Sequence, residues 1–133
     1  MPVTLASIAD SRARRSAVRV SDLAWAPSSF PIRMLLRDAV ARENAESRRM
    51  AVFTLKKMAA GGLFDQVGGG FHRYTVDRSW QVPHFEKMLY DNAQLVVAYV
   101  EAFQLTGEPD MADVARRTLQ YVQKEMTAPG GGF

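Results

Sequence analysis

Gly61-Gly62-Leu63-Phe64-Asp65-Gln66-Val67-Gly68-Gly69-Gly70-Phe71-His72-Arg73-Tyr74 is unlike the sequence on either side of it. Its opening glycine pair halts whatever helix precedes it, because glycine enters the left-handed conformation of a helix end without a Cβ penalty. Residues 61–83 hold five glycines among several aromatics. A domain linker does not carry Phe64, Phe71, Tyr74 and Trp80. Residues 71–76 have strand composition, Asp77-Arg78-Ser79 is a turn, and Trp80-Gln81-Val82 reads as the returning strand, closed by Pro83. We expect an excursion built around a β-hairpin.

Helices are expected on both sides of it. Upstream, Ala45 to Ala60 carries Met50, Ala51, Phe53, Leu55 and Met58 as an apolar side, with Arg48, Arg49, Lys56 and Lys57 elsewhere. Before it, Ser29 with Pro31 two residues later starts a helix through Met34, Leu35, Leu36, Ala39 and Val40, ending near Glu43-Asn44. The short join makes these two an antiparallel hairpin. Downstream, a third helix begins within 85–88 and runs to about Leu105, with Leu89, Leu95, Val96, Tyr99, Val100 and Phe103 apolar on more than one side. Thr106-Gly107-Glu108-Pro109 ends it and launches a fourth, about Asp110 to Met126, with Met111, Val114, Ala115, Leu119 and Val122 as its buried stripe. The fold class expected is all-α: two helical hairpins of a partial α/α toroid around a Gly/aromatic-rich β-hairpin insertion. Two hairpins cover each other only in part, and a ring of such pairs needs roughly five to seven. Residues 26–133 are therefore read as an incomplete toroid domain whose neighbours are missing from the chain or supplied by another, and residues 1–25, which show no sustained period, as a poorly ordered or divergent leader.

Composition bounds the function. With no cysteine, the chain has no disulfide, thiolate metal site or cysteine nucleophile. The run Leu95-Val96-Val97-Ala98-Tyr99-Val100 is too short to span a bilayer, and the N-terminus lacks the apolar core of a secretory signal. Arg12, Arg14, Arg15 and Arg19 resemble a transit peptide in part, but Asp10 and Asp22 oppose that reading. We expect a cytoplasmic protein without a membrane partner. The net charge of +3 is unevenly spread, the basic excess lying in residues 1–60. Those arginines lie along helical faces without aromatic interleaving or a nucleic-acid fold motif, so nucleic acid is not an expected partner.

The central run continues through Asp77, Trp80 and Val82-Pro83-His84-Phe85-Glu86-Lys87-Met88-Leu89-Tyr90-Asp91-Asn92-Ala93-Gln94-Leu95, then Tyr99, Glu101-Ala102, Leu105-Thr106-Gly107 and Glu125-Met126-Thr127. On these residues the chain resembles the thioredoxin-domain-containing, spermatogenesis-associated protein family over roughly 26–133. The resemblance implies a thioredoxin-like domain followed by an (α/α)6 toroid akin to N-acylglucosamine 2-epimerases and six-hairpin glycosidases, of which this chain covers an early part. It implies a fold strongly and a reaction weakly. Ala26-Pro27-Ser28-Ser29-Phe30-Pro31 departs from the family's glycine-rich run before a Lys-Phe-Pro element.

The polar residues of the excursion are the functional candidates. In a helical toroid, side chains at one mouth of the ring converge on a central cavity. Hydroxyls of a sugar need carboxylates and amides, and its apolar side needs an aromatic face. Trp80, Tyr74 and Phe71 offer that face, Arg73 a partner for a carboxylate or an anionic substrate, and His72, Tyr90, Asp91 and Asn92 further ligand contacts. His84, Glu86 and Asp65 are the catalytic candidates. An imidazole titrating near neutrality suits proton abstraction beside a sugar carbonyl, with Glu86 as its partner. The competing reading makes His84 and Glu86 caps of the third helix. His84 and Asp91 share a face only if that helix already includes His84. His72 reads more readily as structural, Asp65 as a turn or cap, and Asn92 as a hydrogen-bonding partner of the glycine-rich loop. Asp65 with Glu86 as a glycosidase pair needs a separation that spacing cannot supply. Gly68-Gly69-Gly70 lacks the spacing and following helix of a nucleotide loop, and His72 with His84 makes no zinc motif, so neither cofactor nor metal is expected. The functional expectation is a sugar-binding or sugar-isomerising (epimerase-like) toroid. The alternatives are a non-catalytic scaffold, packing against a thioredoxin-like domain or another subunit, and a glycoside hydrolase. The uncovered hairpin faces predict self-association or packing against further toroid helices.

Overall fold

The computed structural model describes residues 29–133, and residues 1–25, read as a leader, lie outside them. Four helices follow in order: α1 (Ser29–Ala41), α2 (Ala45–Ala60), α3 (Leu89–Thr106) and α4 (Pro109–Glu125). The chain is all-helical in class, and no strand forms among the described residues.

The α1–α2 join is tied by one acid and one amide. Asn44 accepts from the N–H groups of Glu46 and Ser47, capping α2. Its Nδ2 and the Ser47 hydroxyl both donate to Asp38 of α1, at 2.7 and 2.6 Å. The α3–α4 join uses backbone freedom instead: Gly107, at φ +71°, ends α3 in the left-handed conformation, and Pro109 opens α4.

α3 is the central element. Its broad buried face holds Asn92, Leu95, Val96, Ala98, Tyr99 and Ala102, because α1, α2 and α4 all pack on it. α1 docks through Ser29, whose hydroxyl donates to Gln94, and through Arg33, which grips Glu101 with two hydrogen bonds of 3.0 and 2.8 Å. α2 presents Ala51, Leu55 and Met58 to the core, and the buried Tyr99 hydroxyl donates to the Leu55 carbonyl at 2.7 Å. α4 buries Met111, Val114, Ala115, Thr118 and Val122.

The apolar stripes are narrower than expected. Phe53, Met34, Val40, Phe103 and Leu119 all lie on exposed positions. In α1, which packs on both α2 and α3, the buried row is Ile32, Leu36 and Ala39, and Met34 and Val40 lie outside it.

Candidate functional site

Residues 61–88 cross from the end of α2 to the start of α3 without regular structure of their own. A structureless connection beyond about 15 residues is uncommon in a compact domain and often functional. Its inner side is a core element. Phe64 and Phe71 are almost fully buried, with ring centroids 4.9 Å apart, and Phe71 stacks on Tyr99 of α3 at 5.5 Å. Asn92 clamps the segment to α3. Its Oδ1 accepts from the Phe71 N–H at 2.7 Å, and its Nδ2 donates to the Phe71 and Met88 carbonyls. Of the expected ligand-binding residues, Asn92 is thus committed to the loop, the alternative weighed for it from sequence.

The glycines let the loop lie against α4. Gly69 and Gly70 take φ of +76° and +77°, and a Cβ on Gly70 would sit 2.5 Å from the Tyr121 ring. Lys87 anchors this side: its ammonium meets Asp65 Oδ2 and the Gly69 carbonyl, both at 2.8 Å, and lies 4.0 Å from the Tyr121 ring centroid. Nothing in helical or strand periodicity singles out Lys87, and the sequence reading passed over it. Asp65 also accepts from the N–H groups of Val67 and Gly68. Burial works to raise its pKa, but Lys87 and the two N–H groups outweigh it and hold the carboxyl at about 2. His72 is buried beside this pair, its ring edge-on to Phe85, with Nδ1 unbonded. Burial and then the Lys87 charge push its pKa down.

The expected β-hairpin is reduced to a close apposition. Three bonds, Arg73 N–H to Glu86, Val76 N–H to Val82 and His84 N–H to Tyr74, bring 73–76 alongside 82–86 around one antiparallel bridge, Thr75–Pro83. Pro83 has no N–H to extend a ladder. At the tip, Asp77 gathers the Ser79 hydroxyl and the N–H groups of Ser79, Gln81 and Val82. Led by the Ser79 hydroxyl, these donors hold its pKa at about 2. Trp80 leaves this turn at φ +60°, its carbonyl accepting from the Gly62 N–H, and is buried. Of the three rings expected to form a sugar platform, Phe71 and Trp80 are therefore buried, and only Tyr74 keeps partial exposure.

The apposition assembles the outward polar cluster. Glu86 Oε2 lies 3.1 Å from Arg73 and 3.8 Å from His84 Nδ1. Tyr74 stacks on the His84 ring at 4.6 Å with the planes 12° apart. α3 begins at Leu89, its N-cap is Met88, and no side chain caps it. His84 and Glu86 therefore precede the helix, neither caps it, and His84 shares no helical face with Asp91. Tyr90 and Asp91 in the first turn of α3 reach the same charges. Asp91 feels Arg73 and Glu86, one of its oxygens is buried without a partner, and burial raises its pKa. The arrangement holds an accessible imidazole against a carboxylate, with a cation and a second carboxyl, its pKa raised by burial, beside them. Among the described residues no three His, Asp or Glu side chains gather as a metal site, and no helix is long and apolar enough to cross a membrane.

No family model matches the chain. Human spermatogenesis-associated protein 20 is 51% identical over 105 residues, covering 79% of this chain and 13% of the relative. The rat protein of the same name is 51% identical over 98 residues, 74% of this chain and 12% of the relative. An uncharacterised protein of Caenorhabditis elegans is 36% identical over 113 residues, 80% of this chain and 15% of the relative. These homologues support the family resemblance carried by the glycine-rich block. The chain spans about one eighth of the length of the mammalian relatives it matches.

Proposed function

We propose that this chain is a segment of a carbohydrate-binding, epimerase-like domain of the α/α toroid type, and that Arg73, Tyr74, His84, Glu86 and Asp91 form one wall of its sugar site. The observation that carries this reading is the His84–Glu86 contact, with Tyr74 stacked behind the imidazole and the half-buried Asp91 beside Arg73. The Glu86 carboxylate orients the imidazole, so that the ring nitrogen turned from it takes a proton from a carbon next to a sugar carbonyl. Arg73 and Asp91 offer a cation and a carboxyl to ring hydroxyls. The opposite wall comes from further helices of a longer protein.

The glycosidase alternative draws no support from Asp65. A general acid must keep its proton near neutral pH, and Asp65 is held at about 2. The scaffold alternative is favoured by one specific observation, the exposure of large apolar side chains such as Phe85 (86%) and Phe30 (68%). Amide NMR spectra of the chain, titrated with N-acetylated and neutral hexoses, separate the two. The sugar reading expects saturable shifts at Arg73, Tyr74, His84 and Glu86 that His84→Ala abolishes. Spectra indifferent to every sugar would leave the scaffold.

A further inference from the structure

Phe53 belongs to the apolar side of α2 by helical spacing, yet 44% of it is exposed. Two recesses flank the ring, and Phe53 lines both. One, of about 290 Å³, lies toward the Asp77 turn and is bordered by Lys57 and Arg78. The other, of about 380 Å³, lies toward the α3–α4 join and is bordered by Arg48, Arg49 and Lys56. Neither contains a residue of the His84 cluster, so this surface stands apart from the proposed sugar wall.

The charge around the ring is one-sided. Against these five cations the two recesses are lined by a single acid, Glu108, which Lys56 already holds at 2.6 Å. Glu46, one turn before Arg49, pairs with it at 2.6 Å. The Asp77 carboxylate is turned into its own loop, where it accepts from the N–H groups of Ser79, Gln81 and Val82. Arg48, Lys57 and Arg78 form no ion pair with a described residue. The Lys57 ammonium lies 5.6 Å from the Phe53 ring centroid, so apolar surface and unneutralised charge adjoin. A partner that covers the ring and brings carboxylates satisfies both. Helix geometry sets its scale. Arg48 and Lys57 lie about 14 Å apart along the α2 axis, with Phe53 between them. An extended chain covers that distance in about four residues. The single ring argues against single-stranded nucleic acid, which is held by several stacking platforms in succession.

We propose that this face of α2 docks an acidic segment of a partner protein, one apolar side chain of which rests on Phe53 while carboxylates about two residues to either side pair with Arg48 and with Lys57 and Arg78. The aromatic contact is the anchor, and the ion pairs at its rim set orientation and association rate more than strength.

The test uses the whole chain and a fluorescein-labelled peptide, Gly-Glu-Glu-Phe-Glu-Glu-Gly. It is compared with one version carrying Ser for its Phe, another carrying Gln for every Glu, and a uridine oligonucleotide of equal charge. Fluorescence anisotropy measures binding. Amide NMR locates it, because Arg12, Arg14, Arg15 and Arg19 form a second basic stretch. The expected result is saturable binding with shifts in residues 48–60 and 77–81. It should weaken about tenfold when the peptide loses its Phe, and by a similar factor in Phe53→Ser. Lys57→Gln/Arg78→Gln, two changes at exposed positions that leave the packing of α2 alone, should also weaken it about tenfold. If Phe53→Ser disturbs the far-UV circular dichroism of the chain, that charge pair still decides. An acidic peptide that does not bind saturably overturns the proposal, as do shifts confined to the arginine stretch. So does an affinity unchanged in the charge pair, a Gln peptide that binds as tightly, or an oligonucleotide that binds more tightly at α2.

Discussion

Replacing Asn92 by alanine removes the clamp between the glycine-rich segment and α3. The Asn92 side chain serves three backbone groups: the N–H and carbonyl of Phe71 and the carbonyl of Met88. Met88 keeps the backbone N–H of residue 92 as a partner, whereas both Phe71 groups lose theirs in a fully buried setting. Leaving a buried backbone group unpaired costs about 1–3 kcal/mol, so two cost about 2–6. Alanine returns roughly 0.6 kcal/mol of helix propensity. The expected net loss is about 3 kcal/mol, which at about 1.5 kcal/mol per molar urea lowers the unfolding midpoint by ~2 M. Equilibrium urea unfolding followed by far-UV circular dichroism measures this, and amide hydrogen exchange at Phe71 should accelerate in parallel. A loss under about 1 kcal/mol with Phe71 still protected would refute the clamp.

Three further expectations rest on the same segment. Gly70→Ala meets both a positive φ and the Tyr121 ring, and should destabilise by about 2–4 kcal/mol. Gly107→Ala, with a positive φ but open space around it, should cost only about 1 kcal/mol. Equal urea midpoints for the two would contradict the packing of the loop on α4. The Asp65 carboxyl sits at about 2 in the folded chain, below its unfolded value of about 3.9. Its contribution is therefore present above pH ~4 and lost as pH falls toward ~2. Asp65→Asn should flatten part of that decline in thermal midpoint, the rest being shared among Asp77, Glu46 and Glu101, whose carboxyls are also held below their usual range. Buried His72 is held neutral, its pKa below the unfolded value of about 6.5, so stability should fall as pH drops through that value toward the folded pKa. His72→Leu should remove that slope, and an unchanged slope in the variant would show that another group titrates.

Much of the helical layout is legible in the one-dimensional pattern. The second helix, Ala45–Ala60, is read with its observed bounds because its apolar spacing runs up to the glycine pair that ends it, while the Asn44 cap that opens it is seen only in the structure. The start of the third is misjudged because residues 85–88 carry helix-forming side chains, while their backbone is drawn into pairing with 73–74. Phe53 and Val40 are expected inside and stand outside, since periodicity marks an apolar side but not the neighbour that covers it.

Local chemistry therefore determined the helices, their hairpin joins and the location of the functional candidates in 61–92, because caps, glycines and helical spacing act within a few residues. Only the tertiary structure decided what those candidates do. It set Lys87 on Asp65 and Asn92 on Phe71, pairs separated by 22 and 21 positions. It also turned Trp80 inward and joined His84 and Arg73 to a single carboxylate. The physical reason is that ion pairs, buried amides and ring contacts depend on distances through space, and these arise only when the loop is pressed between α3 and α4.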